Sequence, residues 1–157
     1  MATATLNVQS TPTTQSTADE AAVLAVIETL RKAHLDKNAG LFAAQFSPDA
    51  AIFNLAPPLV HHGVDLIEKQ GWMDSWATPI EIDSRDLNVT VSGDYAFVHG
   101  FLHMSGTKKG ADYAVSFWMR ETLCMERQGC GWRIVHEHTS VPFYMDATLR
   151  PAFDLEP

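Results

Sequence analysis

Two histidines stand two residues apart in Trp132–Phe143, WRIVHEHTSVPF, with a carboxylate between them, a dense cluster of titratable groups. In a β-strand, side chains alternate between faces. Trp132, Ile134, His136, His138 and Ser140 then share one face, and Arg133, Val135, Glu137, Thr139 and Val141 share the other. The first set begins apolar and continues with two imidazoles, which suits a strand that enters a core and then lines a cavity. A His-X-His pair at a sheet surface, held by structural hydrogen bonds, fits the same pattern. An imidazole can accept or donate a proton at neutral pH, so His136 or His138 is a candidate general base. Arg120 keeps its charge and can hold a carboxylate or stabilise an enolate-like oxygen. Ser140, Asn54 and Asp36 are weaker candidates for orienting roles.

Those residues need a scaffold, and the length bounds it. A chain of 157 residues is expected to form one domain with a real core. Acidic residues number 19 against 11 Lys and Arg, so phosphate backbones would be repelled and nucleic acid is not an expected partner. The only cysteines are Cys124 and Cys130, which read as free thiols in a cytoplasmic protein rather than as a disulfide framework. No apolar run approaches the ~20 residues of a membrane span, and the N-terminus lacks the pattern of a secretory signal.

Residues 1–16 are rich in Thr, Ala, Ser and Gln and read as a disordered tail. Thr17 and Glu20 form a capping box for a first helix with Val23, Val26, Ile27 and Leu30 on its apolar stripe, ending near His34. His34 continues that stripe, where a solvated or hydrogen-bonded histidine is the simpler reading. Asn38 can cap a short helix over 39–46, and a third helix is expected over about 64–76, with Trp72 and Trp76 on one face. Ala51–Leu55 reads as a short strand between these helices. Beyond Pro79 the chain alternates as strands. Leu87, Val89 and Val91 belong to the first, and Tyr95, Phe97, His99, Phe101 and His103 share a face of the second. Ser116, Trp118, Arg120, Thr122 and Cys124 share a face of the third, and Trp132–Phe143 is the fourth. Residues 146–157 read as an irregular tail. Three helices followed by a meander of long strands is an α+β pattern.

The runs AAVLAVIETLRKAHLDKNAGLFAAQFSPDA, PPLVHHG, GDYAFVHGFLHMSG and FWMRETLCMER, and above all GWRIVHEHTSVPF, resemble the NTF2-like superfamily. More narrowly they resemble the SnoaL-like bacterial proteins related to ketosteroid isomerase. The resemblance covers about Ala21 to Asp146, and we place the domain at 17–145. It implies an α+β, cone-shaped barrel with three N-terminal helices packed in a curved antiparallel sheet, a pocket inside the cone and a homodimer formed through the sheet. It does not by itself settle activity, because the fold carries isomerases, cyclases, dehydratases and pure binding domains. The ketosteroid isomerase base would lie where this chain has Ile52-Phe53-Asn54, and its first-helix tyrosine has no counterpart here.

If the sheet closes in that way, Arg120, His136 and His138 are expected to meet at the pocket together with His99 or His103. Phe53, Trp72, Trp76, Phe101 and Trp118 would then form aromatic walls, with Asn54 and Ser140 beside them. Such a site suits a small, apolar or aromatic ligand with one anionic or carbonyl end. His136-X-His138 with His99 or His103 could supply three metal ligands, but no flanking carboxylate points the same way, and no metal or cofactor is expected. Val115, Phe117, Met119, Leu123 and Met125 are assigned to the outward face and to the dimer contact. Two functions stay open. One is a cofactor-free isomerase or lyase that abstracts a proton next to a carbonyl; the other is a non-catalytic domain that binds an apolar molecule with an anionic end.

Overall fold

The computed structural model describes residues 14–157, with side chains from Thr17 onward. Its elements run α1 (Thr14–Leu35), α2 (Ala39–Ala43), β1 (Phe46–Phe53), β2 (His61–His62), α3 (Leu66–Asp74), β3 (Glu81–Ser92), β4 (Tyr95–Gly106), β5 (Val115–Gln128) and β6 (Gly131–Ser140). Helix α1 is already formed at Thr14, so the expected cap at Thr17 lies within it; the rest of the expected tail falls outside the described residues.

Asn38 caps α2, its Oδ1 accepting the Leu41 N–H at 2.8 Å. The helix stops at Ala43, and the chain is extended from Phe46, earlier than its Pro-Asp pair suggested. Asp65 caps α3 by accepting the N–H groups of Ile67 and Glu68 at 2.9 and 3.0 Å. Gly63, just before it, is in the left-handed region, and a Cβ there would meet the Pro48 carbonyl oxygen at 2.1 Å. Gln70 ties α3 to the α1–α2 connection by accepting from the Ala39 N–H and donating to the Lys37 carbonyl, at 3.1 and 3.0 Å.

The strands form one six-stranded sheet in the order β2-β1-β6-β5-β4-β3. It is mixed rather than purely antiparallel, because β1 and β6 run parallel while the other neighbours are antiparallel. The curved sheet and the three helices make the α+β cone that the sequence suggested. Val23, Val26, Ile27, Leu30 and Ala33 on α1 are buried with Leu123, Met125, Trp132 and Ile134 on the sheet.

One irregularity decides which residues face inward. Met125 pairs with Ile134 and Cys124 with His136, which leaves Val135 as an extra residue, a β-bulge. Trp132 and Ile134 point into the core, with relative exposures of 2% and 0%. Past the bulge the parity reverses. Glu137, Thr139 and Val141 take the inner face, and His136, His138 and Ser140 the outer one. The inner face of β5 likewise carries Val115, Phe117, Met119, Glu121, Leu123 and Met125, so the apolar series assigned to the dimer contact is the core side of that strand.

Candidate functional site

A cavity of about 620 Å³ opens between the helices and the concave face of the sheet. Its walls are mainly apolar: Ile27 and Leu30 from α1, Phe42 from α2, Trp72 and Trp76 from α3 and its end, and Leu102, Met104, Phe117 and Met119 from the sheet. The two indoles meet edge to face with centroids 5.7 Å apart. Trp76 is held by its surroundings, since the Lys37 ammonium donates to its carbonyl at 2.6 Å and Gly106 leaves no Cβ where one would meet its ring at 2.9 Å.

Among the ionisable groups that line the cavity, four have their acidity displaced mainly by burial: His34, Lys69, Glu121 and Glu137. Glu121 and Glu137 come from adjacent strands on the same inner face, because Glu121 pairs with Thr139 and Leu123 with Glu137. Glu121 is only 6% exposed. Neither carboxyl makes a hydrogen bond or ion pair among the described residues, and both line the cavity. Burial pushes Glu121 up to about 8, with the neighbouring Glu137 charge adding to the rise. Burial also raises Glu137, but the Lys69 charge pulls it back down. Glu121 is therefore protonated at neutral pH, while of the two carboxyls it is Glu137 whose rise a cation opposes.

Lys69 projects from α3 into the same space. Its ammonium stands 3.8 Å from the centroid of the Phe42 ring and 4.6 Å from that of Trp72. Its polar contact is His34 Nε2 at 3.3 Å. Burial lowers Lys69 to about 8, partly opposed by Glu137. His34 Nδ1 is 2.9 Å from the Leu30 carbonyl, which assigns the proton to Nδ1 and leaves Nε2 to accept from Lys69. Burial and the Lys69 charge lower His34 to about 3, so its ring is neutral. A neutral imidazole, a cation and two carboxyls of unequal acidity therefore share one enclosed, low-dielectric space.

Of the residues singled out from the sequence, Asn54, Trp72 and Trp76 line this cavity. Arg120, His136, His138, His99, Phe101, His103, Trp118, Ser140 and Phe53 lie elsewhere, on the outer face of the sheet. The pairing does bring them together there. Arg120 is flanked by Phe101 and Ser140, Thr122 by His99 and His138, and Trp118 by His103. Phe53 meets the His136 ring at 4.8 Å and the His138 ring at 5.7 Å. The relative parity of Arg120 and His138 is as expected; the bulge at Val135 turns His136 and His138 outward, and the apolar alternation of β5, facing the core, turns Arg120 outward beside them. Asp36 is paired with Lys32 on the surface of α1.

Sequence reasoning missed Glu121, Glu137 and Lys69. One signal was available: Glu121 interrupts the apolar series Phe117, Met119, Leu123, Met125, where a lone carboxyl is costly unless it is used. Among the described residues no group of three His, Cys, Asp or Glu side chains is arranged to hold a metal ion. No helix among them is long and apolar enough to cross a membrane.

Fold and cavity together define a known class. Residues 20–144 match the model of the SnoaL-like domain, and the chain belongs to that family, within the NTF2-like superfamily. Among solved structures, an NTF2-like protein of unknown function from Pseudomonas putida KT2440 is 28% identical, with a TM-score of 0.79 over 90% of this chain and 99% of that one. A candidate scytalone dehydratase from Novosphingobium aromaticivorans DSM 12444 is 11% identical, with a TM-score of 0.70 over 89% of this chain and 97% of that one. A candidate ketosteroid isomerase from Shewanella frigidimarina NCIMB 400 is 20% identical, with a TM-score of 0.62 over 76% and 94%. The last two likenesses establish the fold alone. No curated protein matches the sequence.

Proposed function

We propose that this chain is a cofactor-free isomerase or lyase that removes a proton next to the carbonyl of a small, largely apolar ligand held in the cavity. The observation that carries the reading is the Glu121–Glu137 pair, two carboxyls without protein partners in an enclosed apolar space, beside a cation. Their environments separate their acidities, which is how one site can hold an acid and a base together. Glu137, the carboxyl whose rise the Lys69 charge opposes, takes the proton from carbon. Glu121, protonated at neutral pH, donates to the carbonyl oxygen as negative charge develops there. Neutral His34 holds the Lys69 ammonium in place. The test is exchange of the α-protons of apolar ketones in D2O, followed by NMR. The Glu137→Gln variant should lose exchange, and a parent protein that exchanges no ketone of the panel would count against the reading.

A second reading has its own support. Lys108 stands 4.8 Å from the Trp76 ring centroid and donates to Ser75 Oγ at 3.2 Å, so the cavity wall also offers a cation beside two indoles. That arrangement suits an apolar ligand with an anionic end, bound without turnover.

We further propose a cytoplasmic bacterial homodimer packed through the outer face of the sheet, with Arg120, His136 and His138 at its centre. Support comes from Phe97 and Phe53, 44% and 40% exposed, and from the solvent-facing aromatic and histidine side chains between them. Both cysteines are free thiols, as a reducing compartment would keep them.

A further inference from the structure

Lys69 is the group the proton-transfer scheme uses least. An ammonium whose only task is to bias Glu137 would be expected to pair with it, as lysines near carboxylates do on this protein's surface. Lys32 pairs with Asp36 in that way. Lys69 has no carboxylate within ion-pair distance; its polar contact is one neutral imidazole nitrogen, and its flanks are the Phe42 and Trp72 rings. The amine is thus enclosed with apolar surface on two sides, a hydrogen-bond acceptor behind it and the cavity in front. The neighbouring carboxyls supply the proton donor and acceptor that amine addition to a carbonyl requires.

We propose that Lys69 forms a protonated Schiff base with the carbonyl of an aromatic or otherwise apolar ketone or aldehyde bound in the cavity. The inference deepens the proton-abstraction reading and rests on it for the nature of the substrate. Ionised Glu137 takes one proton from the Lys69 ammonium. The freed amine attacks the carbonyl carbon, forming the C–N bond while Glu121 protonates the oxygen. Glu121 recovers a proton from the nitrogen, and Glu137 returns its own to the hydroxyl. Water leaves as the C–O bond breaks and the nitrogen lone pair completes the C=N bond. The products are an iminium and one water, and both carboxyls regain their starting states. No oxidant, reductant or metal enters.

The surroundings of Lys69 suit that product as well as the free amine. An iminium carries the same positive charge at Nζ, so the two ring faces and Glu137 stabilise it in place of the ammonium. It also draws electrons from the α-carbon more strongly than a neutral carbonyl does, which lowers the barrier to proton removal by Glu137. Burial already holds Lys69 at about 8, which leaves a usable fraction of free amine near neutral pH.

The test uses the full chain with 2-naphthaldehyde and 2-acetylnaphthalene as probes and sodium cyanoborohydride to reduce any iminium to a stable amine. The chain has five lysines, so peptide mapping separates the candidates. The expected result is one adduct per chain, on Lys69, formed at least tenfold faster than on Lys32, Lys37, Lys108 or Lys109 at neutral pH. The labelling rate should level off once pH passes about 8. Mapping the parent protein does not depend on any variant folding. Lys69→Arg, which keeps the charge, should lose the adduct and α-proton exchange together. Labelling spread evenly over the lysines, or none on Lys69, overturns the Schiff base. Exchange that survives in Lys69→Arg but is lost in Glu137→Gln also overturns it, while leaving the carboxyl mechanism standing. Loss of exchange in no variant would instead remove the proton-abstraction reading itself.

Discussion

The two faces of strands β5 and β6 both carry ionisable side chains and put them to opposite uses. On the outer face, Arg120 and His138 are open to solvent, which can hydrate a charge at little cost. On the inner face, Glu121 and Glu137 are enclosed with Lys69 and His34, and each of the four is displaced from its ordinary acidity by burial first and by a neighbour second. The outer groups face outward from the chain; the inner groups are a set whose protonation depends on the fold. Ionisable residues alone therefore do not locate chemistry, and the side of the sheet they occupy does.

The widest separation between the two faces is expected in activity. Glu137→Gln removes the base while keeping shape and polarity, and should lower α-proton exchange by about 10²–10⁴-fold, the usual contribution of a positioned acid or base. His138→Ala, on the outer face, should leave the same rate within about twofold, the range of a surface change remote from the site. NMR exchange measured side by side on the two variants checks both. The reverse ranking would return the chemistry to the outer face.

The next expectation concerns stability against pH. Glu121 binds its proton more tightly when folded, up to about 8, than in the unfolded chain, where it titrates near 4.5. Between those values the folded state holds more protons, so stability falls as pH rises from about 4.5 to 8 and levels off above. His34 works in the opposite direction. Its folded value of about 3 lies below its ordinary 6.5, so its contribution rises with pH between them. From 6.5 to 8 the His34 contribution is complete, and Glu121 sets the falling slope together with Glu137, which burial also raises. Glu121→Gln should flatten the denaturation midpoint across that interval and stabilise the protein at pH 8 by roughly 2–4 kcal/mol relative to the parent. An unchanged slope would mean that Glu121 is hydrated and ordinary.

Much of this comparison was legible before any coordinates. The α+β order, the alternation in β4 and β5 and the capping role of Asn38 follow from local patterns that tertiary structure did not override. The extra residue at Val135 was not legible, because a bulge is defined by the partner strand it skips and Val135 carries no glycine or turn signal. That single residue moved His136 and His138 to the outer face and brought Glu137 inward. The parallel pairing of β1 with β6 was hidden for the same reason, being a contact between distant parts of the chain. No local pattern in the sequence marks Lys69; packing against Phe42, Trp72 and His34 makes it an enclosed amine.

A charge reversal on the outer face sharpens the contrast from the other side. Arg120→Glu should shift the protein from dimer to monomer in sedimentation equilibrium at micromolar concentration, because it takes a cation from the centre of the contact and adds negative charge to two chains that already carry -8 each. The cavity groups should keep their exchange rate within about threefold in that monomer, provided that no residue of the partner completes the site. A parent protein that is already monomeric would remove the outer face from the interface.

The smallest effect concerns how the inner set is held. Lys69 and Trp72 reach the cavity from α3, a nine-residue helix whose first N–H groups are met by Asp65. Removing that acceptor with Asp65→Ala leaves two donors to water and should cost about 1 kcal/mol of stability, the ordinary value of an N-cap. Asp65→Asn keeps an acceptor oxygen and should cost less than half as much. The consequence for the site is a frayed first turn beneath Lys69, which loosens its contact with His34 Nε2. Hydrogen exchange of the Ile67 and Glu68 amides should speed up in Asp65→Ala by about fivefold, tracking the local loss of stability, while the β5 and β6 amides keep their protection. Equal acceleration in the helix and in those strands would show that the cap supports the whole domain and that the cavity's cation is not held locally.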